Sequence, residues 1–283
     1  MKKIKLNGIT LAYEEYGTGD KYLISTQNFF FKDCHMALLG QKPYDYHVFL
    51  IYTRGYGESE HIFDPEPKDY TKIWGEDVIA FAQAMGIQKF YYSGVSHGNW
   101  AGWYICFHCP EILRGFVCCD GIARYRSETS QPVPALLSRT LDVDAVVGNR
   151  EALDAMAWTE TWPTENPERL ARRKQNHADH LNILMNRKRE EFFVRNNNMS
   201  ACEVSTQDEF WDKVSHIPVP VLLLNGVLDP LSRVEDVLEL AKRIPGARML
   251  TYQHLGHGGP DECPEMVAQD CDRFFRDTEN YIL

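Results

Sequence analysis

The stretch that decides the fold is Lys89-Phe90-Tyr91-Tyr92-Ser93-Gly94-Val95-Ser96-His97-Gly98-Asn99-Trp100. Lys89–Ser93 reads as a strand, Gly94–Gly98 as a tight turn, and Asn99–His108 as a helix that Cys109-Pro110 ends. A serine at the tip of such a strand-to-helix turn is held in a strained backbone conformation. Glycines two residues before and two after it keep the turn free of steric conflict. The turn exposes the hydroxyl and sets the next amide, the His97 N–H, near a new helix N-terminus, where a developing oxyanion is stabilised. Glycine and serine are common loop residues. The pattern informs because it stands between an apolar strand and an apolar helix.

Outward from this turn, strand-like and helix-like segments alternate. Lys3–Leu6 and Ile9–Glu15 form a hairpin around Asn7-Gly8, followed by strands at Tyr22–Thr26 and His47–Tyr52. Trp74, Val78, Ile79, Phe81, Ala82 and Met85 recur at helical spacing over Tyr70–Met85. Gly115–Cys119 is a strand again. The rhythm breaks between Gly121 and Lys213, where the chain is helix-like and charged. It resumes with Pro220–Asn225 (strand), Arg233–Arg243 (helix), Arg248–Gln253 (strand) and Pro264–Thr278 (helix). The expected fold is α/β: a mostly parallel central sheet with helices on both faces. Residues 1–120 and 214–283 form its core, and residues 121–213 a helical cap inserted after the sixth strand.

A serine hydroxyl is a weak nucleophile unless a base takes its proton and a carboxylate orients that base. Val221–Asn225 is a buried-strand pattern with Asp229 just past its end. Tyr252-Gln253-His254-Leu255-Gly256-His257-Gly258-Gly259 puts two histidines in a Gly-rich loop after another strand. Ser96, Asp229 and His257 thus fall in that order at the carboxyl ends of strands, where open α/β sheets keep their sites.

With these residues in view, the chain resembles the α/β-hydrolase superfamily, in particular its capped esterase, lactonase and C–C hydrolase branches. Arg54-Gly55-Tyr56-Gly57-Glu58-Ser59 matches the family's Arg-Gly-x-Gly-x-Ser segment. Its Gly-His loop selects His257 over His254, which is left to strand-end packing. The resemblance implies an oxyanion hole from the N–H groups of His97 and Phe29. Relatives carry His-Gly before the second donor, whereas this chain reads Gln27-Asn28-Phe29-Phe30. Either Asn28 occupies the glycine slot with positive φ, or it offers its side-chain amide to the pocket. Ser96-His97-Gly98-Asn99-Trp100 is also similar to the elbow of cofactor-free ring-opening dioxygenases of this fold, which place their acid after the sixth strand, here Asp120. The Gly226-Val227-Leu228-Asp229 segment keeps Asp229 as the expected acid, with Asp120 a pocket or structural residue. Asn28, Phe30, Trp100, Trp158 and Trp162 complete the expected pocket.

Composition narrows the remaining classes. Forty acidic against thirty basic residues, a net charge of −10, disfavours nucleic acid as a partner. The longest apolar runs, such as Val219–Leu224 with Pro220 inside it, are far short of a membrane span. The start, Met1-Lys2-Lys3-Ile4-Lys5-Leu6, has no apolar signal core, so the cytoplasm is expected. Of the eight cysteines, Cys106/Cys109 and Cys118/Cys119 fall in apolar runs and read as inert core thiols. His177 and His180, three apart with Asp179 between, lack a second ligand cluster, so no metal site is expected. The basic stretches Arg172-Arg173-Lys174 and Arg187-Lys188-Arg189 read as a solvated face, with a mouth steering acidic substrates as the sharper alternative. Gly55-Tyr56-Gly57 lacks the third glycine of a dinucleotide fingerprint. The expectation is a serine hydrolase of a carboxylic ester or lactone, acting through an acyl-enzyme on a small, largely apolar molecule. It needs no cofactor and no membrane or nucleic-acid partner, and a homodimer is left open. The alternatives are C–C bond hydrolysis, cofactor-free dioxygenation of an aromatic heterocycle, and ligand binding without catalysis.

Overall fold

Asn7 and Gly8 both take left-handed backbone angles (φ 49° and 86°), as an Asn-Gly hairpin turn requires. They join β1 (Lys2–Leu6) to β2 (Ile9–Tyr16) in a computed structural model that describes residues 1–61, 70–125, 142–157, 164–193 and 202–279. The chain continues through β3 (Lys21–Gln27), the short α1 (His35–Leu39), β4 (Tyr46–Tyr52), α2 (Tyr70–Ala84), β5 (Phe90–Val95), α3 (Asn99–His108) and β6 (Leu113–Cys119). Then come α4 (Val143–Val146), α5 (Arg150–Met156), α6 (Pro167–Met185) and α7 (Gln207–Ser215). The last elements are β7 (Val221–Gly226), α8 (Val234–Ala241), β8 (Arg248–Tyr252), the four-residue α9 (Gly259–Glu262) and α10 (Pro264–Glu279).

The eight strands form one sheet in the order β1-β2-β4-β3-β5-β6-β7-β8. β1, β2 and β4 pair antiparallel, and every other pairing is parallel. β5 and β7 are buried along their whole length, which explains why they read as continuous apolar runs without alternation. On β6 successive side chains go to opposite faces. Phe116 and Cys118 join a core with Phe81, Trp103 and Phe210, whereas Val117 and Cys119 join one with Leu23, Tyr91 and Phe275. Burying one such ring fully contributes about 1.5–3 kcal/mol.

A third cluster stands apart from both: Val143, Val146, Leu153, Leu181, Leu184 and Phe192, from α4, α5, α6 and the turn after it. α6 begins on Asn166, whose side chain accepts from the Glu168 and Arg169 N–H groups, with Pro167 in the first turn. Phe210 and Val214 of α7 instead enter the first sheet core. The break in rhythm read over 121–213 therefore covers two kinds of packing. Two further details differ from the sequence reading. β5 runs through Gly94 and Val95 up to Ser96 itself, and α1 and α9 are too short to leave a periodic signal.

Candidate active site

Four strands deliver the chemistry. Ser96 follows β5 directly, Asp120 follows β6 directly, Asp229 stands three residues past β7 and His257 five past β8. Their carboxyl ends lie side by side because β5, β6, β7 and β8 are consecutive parallel neighbours. His257 Nε2 is 2.7 Å from Ser96 Oγ, and His257 Nδ1 is 2.8 Å from Asp229 Oδ2. The other Asp229 oxygen accepts the Leu231 and Ser232 N–H groups at 2.7 and 3.0 Å, so its own loop fixes the carboxylate. Burial opposes charge on the His257 imidazole, but the Asp229 carboxylate outweighs it and the net direction is upward.

Ser96 has φ +50°, one of four described non-glycine residues in the left-handed region. Such a conformation costs about 1–3 kcal/mol and persists only where the surroundings over-determine it. Here they do. A Cβ on Gly94 would lie 2.5 Å from the Gly98 carbonyl, and one on Gly98 would run into the Gln27 side chain. Gln27 Oε1 accepts the Val95 N–H at 3.0 Å, and the Tyr92 hydroxyl donates to the Gly98 carbonyl at 2.6 Å. Asn99 Nδ2 donates to the carbonyls of Ser96 (3.0 Å) and Cys119 (2.7 Å), tying the turn to the end of β6. Arg54 and Ser59 of the Arg-Gly-x-Gly-x-Ser segment are anchors at a distance. Arg54 forks onto Asp77 of α2, and Ser59 Oγ bridges the Tyr52 carbonyl and the Ala12 N–H.

The loop facing Ser96 corrects one expectation. Asn28 is not in the left-handed region, so it does not imitate a glycine. Its N–H donates to His97 Nε2 at 3.1 Å, and its side-chain oxygen accepts from the Thr53 hydroxyl at 2.9 Å. Nε2 being an acceptor, the His97 proton sits on Nδ1. Burial, with His180 and His257 nearby, pushes the His97 imidazole down to about 3 and keeps it neutral. The N–H groups of Phe29 and His97 make no hydrogen bond among the described residues. The Phe29 ring lies against Phe31, His97 and His180, the last at 4.6 Å between centroids. Trp100 stacks parallel on Trp74 and meets His97 edge-on, and Phe30 meets Tyr52 edge-on.

Asp120, read as a pocket or structural residue, is fully buried, which fits the structural role. Its Oδ1 accepts the Gly226 N–H at 3.2 Å and its Oδ2 the Gly258 N–H at 2.9 Å. Asp120, Asp229 and His257 offer ligand atoms within 4.8 Å of one another, a spacing that a metal ion would accept. Both nitrogens of His257 and both oxygens of Asp120 hold hydrogen-bond partners within the protein. His254 is exposed beside Tyr252 and takes no part. Trp158 and Trp162 lie outside the described residues.

α6 supplies what sequence reasoning missed. His180 rests on Phe29, and burial with His177 and Arg187 pushes its imidazole down to about 4. His177 turns instead to Asp154 on α5 at 3.1 Å, so the two histidines do not converge. The basic stretches divide: Lys174, Lys188 and Arg189 are exposed, whereas Arg173 and Arg187 turn inward to partners. Arg169 forks onto Glu262 Oε2 (2.9 and 2.7 Å), Arg173 donates to Glu262 Oε1 at 2.7 Å, and Arg172 pairs with Glu265. The Arg187 guanidinium lies 4.5 Å over the Tyr56 and Phe192 rings, and Arg189 pairs with Asp144. Only an Arg-x-x-Arg-Arg spacing on one helix face hinted at a shared acidic partner.

Comparison with known proteins bears on the fold. The family model described as TAP-like protein, an α/β-hydrolase model, matches residues 191–280, which carry Asp229 and His257. A serine hydrolase from the polyaromatic-hydrocarbon-degrading bacterium Cycloclasticus zankles superposes with a TM-score of 0.76 at 18% identity, covering 97% of each chain. A bacterial membrane phospholipase A gives 0.73 at 18% identity, over 99% of this chain and 86% of that one. The enol-lactonase from Burkholderia xenovorans gives 0.70 at 19% identity, over 97% of this chain and all of the other. Comparison with curated protein sequences returned no match. At these identities the structural likeness shows the α/β-hydrolase fold alone, and the family model covers residues 191–280 only.

Proposed function

We propose that the protein is a serine hydrolase that cleaves a carboxylic ester or lactone of a small, largely apolar substrate through an acyl-enzyme. The observation that carries this reading is the unbroken hydrogen-bonded line from Ser96 Oγ through His257 to Asp229. His257 Nε2 takes the Ser96 proton as Oγ attacks the substrate carbonyl, then returns it to the leaving alkoxide. Asp229 holds the Nδ1–H tautomer and stabilises the imidazolium. The unbonded N–H groups of Phe29 and His97 receive the oxyanion. Water activated by His257 releases the acid. The helices α4, α5 and α6, which pack apart from the sheet, act as the lid, a role that the contact of His180 with Phe29 supports.

His257 Nδ1 meets Asp229 and not Asp120, which favours hydrolysis over the dioxygenase reading with its acid after the sixth strand. The test is turnover of short-chain p-nitrophenyl esters and simple lactones by the protein and its Ser96→Ala variant. Abolished turnover with unchanged thermal unfolding is expected. Full activity in Ser96→Ala would overturn the proposal, and oxygen uptake with a hydroxyquinolone would replace it with the dioxygenase reading.

A further inference from the structure

Asp120 is held with more care than a buried structural carboxylate needs. It has φ +47°, and its N–H donates to the Leu224 carbonyl at 2.8 Å. Its two oxygens reach two different loops. Gly226 N–H lies at the root of the segment carrying Asp229, and Gly258 N–H immediately follows His257. The loops of Asp229 and His257 are thus fastened, each through a backbone N–H, to the same carboxyl group. We propose that Asp120 is a positioning residue, which sets the separation of Asp229 and His257 and stands within 4.8 Å of the imidazole, close enough for the two groups to titrate interdependently. The proposal rests on the reading of Ser96, His257 and Asp229 as the reacting triad.

The groups facing this pair decide the sign of its titration. Asp120 meets Asp229 and His257, with Cys118 and Cys119 on its own strand, whereas His257 also faces Asp261 of α9 and His97. Burial and the Asp229 charge raise the Asp120 carboxyl to about 8. His257 and the two N–H donors oppose that rise. In turn, an ionised Asp120 raises His257. In the wild type, loss of the second proton from the pair is therefore delayed, and the acid limb of kcat/KM is stretched upward in pH. With a neutral side chain at 120, His257 titrates without that partner. Its limb moves to lower pH and becomes a single step.

Asp120→Asn is the direct test, because the amide keeps the shape but turns an N–H donor toward Gly258 or Gly226. The expected result is a loss in kcat of about 10- to 100-fold, as for other residues that hold a catalytic group in place, with little change in KM. The acid limb shifts to lower pH. An unchanged limb, or one moved upward, overturns the linked titration whatever happens to kcat. Unchanged kcat overturns the positioning. If Asp120→Asn does not fold, infrared titration of wild-type protein labelled with 13C-carboxyl aspartate decides the matter. A protonated buried carboxyl whose loss tracks the acid limb is expected, and its absence overturns the proposal. Ser96→Ala separates the two readings. If that variant keeps full activity the triad itself fails, and if it is inactive the Asp120 result stands alone.

Discussion

Ser96 is strained, and the residues that hold it so are Gly94, Gly98 and Gln27. Gln27 is the last residue of β3, and its amide oxygen takes the Val95 N–H. Gly98 has no room for a methyl group because Gln27 lies against it, but the obstacle is a side chain, which can be removed. Gly98→Ala is expected to lose most activity and to lower the unfolding temperature. Adding Gln27→Ala restores part of the stability, since the two losses share one contact and are not additive. Gly94→Ala meets the Gly98 backbone and has no such rescue. Urea unfolding of the two single variants and the Gln27/Gly98 double variant measures the coupling, and strict additivity contradicts the packing argument.

At the scale of elements, α6 and α9 form one unit through Glu262. Arg169 and Glu262 are 8% and 2% exposed, so removing one partner strands a charge away from water. Arg169→Ala is expected to cost about 3 kcal/mol, at the lower end for a broken buried pair because Arg173 stays bonded to the other oxygen. Urea denaturation reads this directly, and a cost under about 0.5 kcal/mol would place the pair among exposed ones. α9 begins two residues after His257, so the same variant also loosens the base and lowers kcat. The network explains why the arginines of α6 looked like a solvated face. Their acidic partners come from residues some ninety positions downstream, and no local pattern records that distance.

For the whole molecule, pH acts on stability through two sets of buried groups with opposite signs. His97 and His180 have folded values near 3 and 4, below the 6.5 of the unfolded chain. Their contribution is present above 6.5 and is lost as pH falls toward those values. Asp120 and Asp261, raised to about 8 and about 6, contribute below 3.8 and lose it as pH rises through those values. The two sets flatten the wild-type curve, so the sign is read from a variant. The unfolding temperature of wild type relative to His180→Leu is expected to fall as pH drops from 7 to 5. A difference that stays constant with pH means that His180 does not titrate on unfolding. All eight cysteines are free thiols, so reductant adds nothing to these measurements. No helix of the described residues is long and apolar enough to cross a membrane.

Local pattern determined the α/β class, the turn at Ser96, and the Ser96, Asp229 and His257 order, because strand and helix periodicities and turn glycines are short-range properties of the chain. Only the tertiary structure decided that Asp120 turns to the Gly226 and Gly258 N–H groups, because those amides belong to two segments far downstream in the chain. It likewise decided the use of Asn28, whose residue type allowed both a glycine-like turn and a side-chain role. Here the His97 ring and the Thr53 hydroxyl, neither adjacent in sequence, took its polar groups. The clasp of Glu262 and the contact of His180 with Phe29 were invisible for the same reason. A buried charge or ring finds its partner in space, and sequence spacing records only the neighbours within a turn or a strand.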